Sequence, residues 1–203
     1  MEPAFSRSSE LLSAPASQLV IVDVQERLTP QIADSDAVVG NCSRLIRGAA
    51  IFDVPVVITE QYPSGLGPTI PALSQLLSGR NGDASLNDRS IRISEKLRFS
   101  AADATGWPAA GERDDGRHQV VLAGLETHIC VLQTALDLLS QGYRVFVAAD
   151  ATGSRRPFDR DIARNRLRDS GVIVTTVESV LFEWCEVAGT ERFRQLRDFV
   201  TDR

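Results

Sequence analysis

The chain has 203 residues, 43% of them hydrophobic and 24% charged, which is long enough for one sizeable core and ordinary for a soluble globule. Its 22 basic and 27 acidic residues leave a formal net charge of -5 with no lysine-rich or arginine-rich block, which excludes nucleic acid as the expected partner. No apolar run approaches the ~18 residues of a membrane span, so no membrane partner is expected.

Residues 1–17 read as a polar lead-in, without the basic and apolar regions of a secretory signal, and residues 18–203 as the folded domain. Three widely separated cysteines with no CxxC pair suggest neither a disulfide framework nor a zinc site. A reducing cytoplasm is therefore the expected setting.

In chain order, QLVIVDV (18–24) is a β-branched run that predicts a buried parallel strand. Residues 37–52 place Val38, Val39, Cys42, Leu45, Ile46 and Ala49 three and four apart, one apolar helix face. VPVVITE (54–60) predicts a second strand and QYPSGLGP (61–68) a loop. A weaker helix over 69–78 and a polar stretch, 79–89, lead to a short third strand near 90–95. HQVVLAG (118–124) is a strand, and the helix after it carries apolar residues 131, 132, 135, 136 and 139 and stops at Gly142. YRVFVAAD (143–150) is a strand and 158–171 a helix, basic but interleaved with Asp159, Asp161 and Asp169 and so read as a solvated face. VIVTTVES (172–179) is read as the last strand and 190–202 as a closing helix. The apolar stretch 177–188 is either packed on the sheet or an interface.

Strands alternating with helices imply right-handed βαβ crossovers. The expected fold is a single-domain three-layer α/β/α architecture with a Rossmann-like parallel sheet of about six strands. In such sheets ligands bind outside the carboxyl ends of the strands, so the search for function narrows to polar residues at those ends.

Asp23 interrupts an apolar run at the end of the first strand, where an acid is costly unless paired. Cys130 lies where GLETHICVLQ passes from strand to helix. A helix start offers free N–H groups and a positive dipole end, which predicts a thiol pKa well below the free value of about 8.5. Those N–H groups can also hold the oxyanion of a tetrahedral intermediate. Cys42 and Cys185 sit in apolar settings and read as small hydrophobes. Lys96 follows the third strand; alone, a lysine is most often a solvated charge.

Together these residues resemble a known family. DVQ (23–25), K-x-x-F-S (96–100) and GLETHICV (124–131) are similar to the three motif blocks of the isochorismatase-like cysteine hydrolases, in the family's order and spacing, and DATGSR (150–155) extends the match. The resemblance implies a triad in which Asp23 is general acid and base, Lys96 the supporting cation and Cys130 the nucleophile that forms an acyl-thioester. It further implies an oxyanion hole from the backbone N–H groups of Glu126 and Cys130, and a cis Leu125–Glu126 peptide.

Metal-dependent nicotinamidases of the family carry Asp-x-His and a further histidine after the second strand, where this chain has TEQYPSGLGPT. No metal and no other cofactor is expected. The loop instead resembles the subgroup of isochorismatase domain-containing proteins. Isochorismatases proper lack the cysteine, so its presence points to acyl chemistry on a small amide-like substrate. Members of the family commonly form homo-oligomers, which implies a dimer or tetramer here.

Substrate contacts are expected from Gln25, on the same face as Asp23, from Glu60, Gln61 and Tyr62 at the mouth, and from Phe99 and Thr127. Core packing is the commoner role for aromatics such as Phe99 and Trp107. His118 reads as a surface residue, and His128 as structural or substrate-facing. A nucleotide-binding module lacks its phosphate cradle here, since neither GxGxxG nor GxxxxGK[ST] occurs. A thiol sensor and a non-catalytic scaffold remain the alternatives.

Overall fold

The computed structural model describes residues 6–77 and 91–200. The polar stretch 79–89 lies outside the described residues, as does the expected end of the preceding helix at residue 78. The strands are β1 (Ser17–Val22), β2 (Val56–Gln61), β3 (Ile91–Lys96), β4 (Gln119–Leu125), β5 (Arg144–Gly153) and β6 (Ile173–Thr175). The helices are α1 (Ser35–Ile51), α2 (Pro63–Leu66), α3 (Pro71–Leu77), α4 (Leu132–Ser140), α5 (Pro157–Asp169), α6 (Val177–Cys185) and α7 (Glu191–Val200).

All strand pairings are parallel, in the order β3-β2-β1-β4-β5-β6. Strand side chains alternate between faces, and each face meets its own helices. Leu19, Ile21, Ile58 and Val121 pack with α1, α3, α6 and α7, whereas Val20, Val22, Val57 and Leu122 pack with α4 and α5. The result is a three-layer α/β/α sandwich whose inner strands are buried on both sides, which is why β1 and β4 are continuous apolar runs.

The chain order reverses between β1 and β4, and this switch point opens the crevice in which ligands of such sheets bind. The two strands meet there without room for a side chain. Gly124 has φ +111, and a Cβ on it would lie 2.1 Å from the Val22 carbonyl oxygen.

Three local readings change. The segment 172–179 is not one strand: β6 ends at Thr175, and Thr176 caps α6 by accepting the Ser179 N–H through its hydroxyl. The apolar residues that looked like strand become the buried face of α6, with Val177, Val180, Leu181 and Trp184 against the core. The 61–68 loop contains the single turn α2. Strand β5 runs to Gly153 past a register shift opposite Leu122 and Gly124, so much of the DATGSR block is strand rather than the turn after it. The described part of the lead-in packs on the body: Leu12 is buried and Arg7 donates to the Glu183 carbonyl.

Candidate active site

Strand β1 stops because Asp23 takes a left-handed conformation, φ 52, one residue past Val22. Its N–H still donates to the Thr59 carbonyl, so the turn stays fastened to β2. The carboxylate is fully buried, accepting from the Thr59 hydroxyl at 2.7 Å and from Lys96 Nζ at 2.7 Å. Lys96 is the last residue of β3, at the sheet edge, and its side chain crosses the end of β2 to reach Asp23. The ammonium also donates to Gln61 Oε1 (2.8 Å), the Phe99 carbonyl (3.0 Å) and the Arg98 carbonyl (3.3 Å). A buried ion pair is tolerable when its remaining protons and lone pairs find partners, and this one meets that condition.

Cys130 lies in a single π-type turn, Thr127–Val131, between β4 and α4. Its thiol is buried, with the Asp23 carboxylate and Lys96 both close enough to act on it electrostatically. The three residues therefore converge, from the ends of β1, β3 and β4. Burial above all, and then the negative charge of Asp23, push the thiol up to about 12 against the opposing pull of Lys96. This corrects the expectation of a thiol pKa below the free value: the turn is dry and faces a carboxylate, and both disfavour thiolate. Asp23 is itself raised by burial, with Lys96, Thr59 and the thiol acting in the other direction.

The turn that holds Cys130 is braced from two sides. The Leu125–Glu126 peptide is cis. The Glu126 side chain, also buried, accepts from the Arg155 backbone N–H at 2.8 Å and from its Nε at 3.1 Å, fixing the turn to the loop after β5. On the other side the Thr134 hydroxyl accepts the Ala101 N–H (2.8 Å) and donates to the Cys130 carbonyl (2.6 Å). The loop after Lys96 is thus bound both to the lysine and to the turn holding the cysteine. Thr127 is fully buried, and its hydroxyl has no hydrogen-bond partner among the described residues.

The expected mouth residues divide. Gln25 is fully buried; its amide accepts the Gln61 N–H and donates to the Gln61 and Gly67 carbonyls. Glu60 points to Thr69, accepting from its N–H and hydroxyl at 2.7 Å each. Gln61 contacts Lys96 and the Leu97 carbonyl. Tyr62 and Phe99 are each 55% exposed, and Phe99 rims an open cleft of about 560 Å³ with Leu97, Gln133 and Asp137.

Trp107 packs against the smaller core, tilted against Tyr143 with the Arg113 guanidinium over it. His128 pairs with the Ser154 hydroxyl at 3.0 Å, and the exposed His118 with the Gly116 carbonyl at 2.9 Å. Cys42 is fully buried, and burial pushes its thiol up to about 12. Sequence reasoning missed Thr59 and Thr134. Their only signals are a threonine inside an apolar strand and one four residues after the cysteine.

The pattern of the isochorismatase domain matches residues 17–179. Isochorismatase domain-containing protein 2A of Mus musculus is 37% identical over 190 residues, 92% of this chain and 84% of that protein. The solved structure of MAR1 ribonuclease from Caenorhabditis elegans superposes with a TM-score of 0.80 at 30% identity, covering 94% and 92% of the two chains. YcaC from Pseudomonas aeruginosa, solved with hexane-2,5-diol and covalent acrylamide, gives a TM-score of 0.77 at 25% identity over 95% and 92%.

Proposed function

The chain belongs to the isochorismatase-domain family of hydrolases, and from that premise we propose that it hydrolyses a small amide-like substrate through a covalent acyl-thioester on Cys130. The observation that carries this reading is the contact of a buried Asp23–Lys96 pair with a buried thiol at the switch point. Because the thiol is held protonated, proton transfer accompanies attack. Asp23 accepts the S–H proton as Sγ bonds to the carbonyl carbon and the C=O electron pair moves onto oxygen. The N–H groups of Glu126 and Cys130 receive that oxyanion.

Asp23 then passes its proton to the leaving nitrogen as the C–N bond breaks, leaving the acyl-thioester. Water attacks the thioester, gives a proton to Asp23, and the returning thiol takes it back as the acid departs. Burial raises the Asp23 carboxylate from its ordinary value, which makes it a stronger base for the thiol proton. Lys96 opposes the effect of burial and favours the charged carboxylate. Thr127, with a free buried hydroxyl, is read as a substrate contact, and Phe99 and Tyr62 as rim.

A thiol sensor needs an accessible, low-pKa thiolate. A buried thiol pushed up to about 12 argues against that alternative. The small-molecule substrate, a cytoplasmic setting and a homo-oligomer of two or four chains belong to the same proposal. Sedimentation tests the last of these.

The deciding assay is ammonia or amine release over a panel of small amides, with an RNA oligonucleotide included because one solved relative is called a ribonuclease. Turnover of an amide, abolished in Cys130→Ala and reduced about 10²–10⁴-fold in Asp23→Asn, is the expected result. Cleavage of RNA alone, or amide turnover that survives Cys130→Ala, would overturn the reading.

A further inference from the structure

Gln61 is the register partner of Lys96 across the β2–β3 ladder, and every polar group of the residue is engaged. Its side-chain oxygen accepts from Lys96 Nζ at 2.8 Å and its side-chain nitrogen donates to the Leu97 carbonyl at 2.9 Å. Its backbone is held from the other side. Because β1 has turned away at Asp23, its pairing with β2 ends at Thr59, and on that side of Gln61 the Gln25 amide takes the place of a strand. It accepts the Gln61 N–H at 2.8 Å and donates to the Gln61 carbonyl at 3.1 Å, as a neighbouring peptide group would. A third bond, from Gln25 Nε2 to the Gly67 carbonyl at 2.6 Å, fixes that amide.

The ammonium, with three N–H donors, faces four acceptors: Asp23, Gln61 and the carbonyls of Arg98 and Phe99. Its side chain is 2% exposed, so no N–H is left to meet a substrate. Lys96 can act only through its charge, and its effect depends on where it is held. Three of the four acceptors are neutral, which leaves Asp23 as the only anion bonded to the cation. The other titratable group at the pair is the Cys130 thiol, while Glu60 spends its carboxylate on Thr69.

We propose that Gln61 is a positioning residue: its neutral side-chain oxygen holds the Lys96 ammonium against Asp23, and the buried Gln25 amide holds Gln61 by standing in for a strand. The assignment rests on the reading that Lys96 supports Asp23 and Cys130. It gives DVQ and TEQ one purpose, since the glutamine of each block fixes a charge carried by β3. An amide suits the task because a carboxylate there would compete with Asp23 for the cation and weaken the pull of Lys96 on the thiol.

The test is the rate at which iodoacetamide alkylates Cys130 at about pH 8, read by peptide mass, in wild type, Gln61→Glu, Gln61→Met, Lys96→Met and the Gln61→Met/Lys96→Met double variant. Below a thiol's pKa this rate follows its thiolate fraction, so each unit of upward shift slows it about tenfold. Gln61→Glu is expected to slow alkylation about tenfold and Gln61→Met several-fold, with Lys96→Met slowest. Gln61→Met should add nothing once Lys96 is gone, an outcome that a merely structural role would not give.

Gln61-variant rates equal to wild type while Lys96→Met is slowed, or Gln61 and Lys96 effects that simply add, overturn the proposal. If Lys96→Met itself leaves the rate unchanged, the underlying reading of Lys96 fails instead. Far-UV circular dichroism checks that each variant folds. Wild-type protein supplies an independent measurement: the Lys96 ammonium should give a slowly exchanging ¹⁵N–¹H NMR signal, and fast exchange with water would also defeat the proposal.

Discussion

At Cys130 two local effects oppose each other and burial wins. A turn leading into a helix supplies N–H groups that favour thiolate, but the thiol is dry and faces the Asp23 carboxylate, and its pKa is pushed up to about 12. Iodoacetamide alkylation of Cys130 should therefore keep accelerating with pH through the neutral range; a plateau below about pH 8 would show a preformed thiolate. The same shift has a consequence for stability. Above about pH 9 the unfolded thiol loses its proton while the folded one retains it, so unfolding is favoured as pH rises from about 9 towards 12. Wild type should lose stability over that window relative to Cys130→Ala, which denaturant melts at a series of pH values would measure. For Asp23 the sign on activity is opposite. Turnover needs the carboxylate, and its pKa is raised, so the acid limb of the pH–rate profile should lie above the usual carboxylate value of about 4. Asp23 stands out in the sequence because it interrupts an apolar strand, and Cys130 because it lies at a strand-to-helix turn in a family-like motif. Their titration does not, because it depends on which groups the fold leaves dry together.

Among the elements, the junction of β1 and β4 carries the tightest tolerance. Gly124 lets the two backbones approach just before Asp23 leaves the sheet, and an added Cβ would lie 2.1 Å from the Val22 oxygen and 2.6 Å from its nitrogen, neither of which can swing aside. Gly124→Ala should cost at least ~3 kcal/mol by denaturant unfolding and displace Asp23, whose turn begins one residue after Val22. An unchanged unfolding midpoint would contradict this. The glycine is visible in the sequence, but its purpose is not, since GLETH reads equally as a turn signal. Gln25 teaches the same lesson. Alternation from Asp23 predicts a shared face, but β1 ends at Val22 and the left-handed turn at Asp23 breaks the alternation. The amide is consequently spent on the backbone of β2.

Across the whole molecule, two cores on opposite faces of one sheet do different work. The larger joins α1, α3, α6 and α7 to the sheet, and the smaller carries α4, α5 and the Cys130 turn. Leu45→Ala in the first and Leu138→Ala in the second should each cost about 2–5 kcal/mol, but only Leu138→Ala should also change the pH dependence of Cys130 alkylation. Equal effects on alkylation would mean that the site does not depend on its own face. The sequence by itself determined the alternation of strands and helices, the parallel sheet that follows from it, and the polar break at Asp23. These are written in apolar periodicity and in local breaks of it, which short stretches of chain encode. Only the tertiary structure decided that Lys96 reaches Asp23 from the sheet edge, that Thr59, Thr134, Gln25 and Gln61 hold the site together, and that burial pushes the thiol pKa up. Each of these follows from groups more than thirty residues apart, or from helix and loop brought together by packing. Hydrogen-bond partners and exclusion of water are properties of that packing.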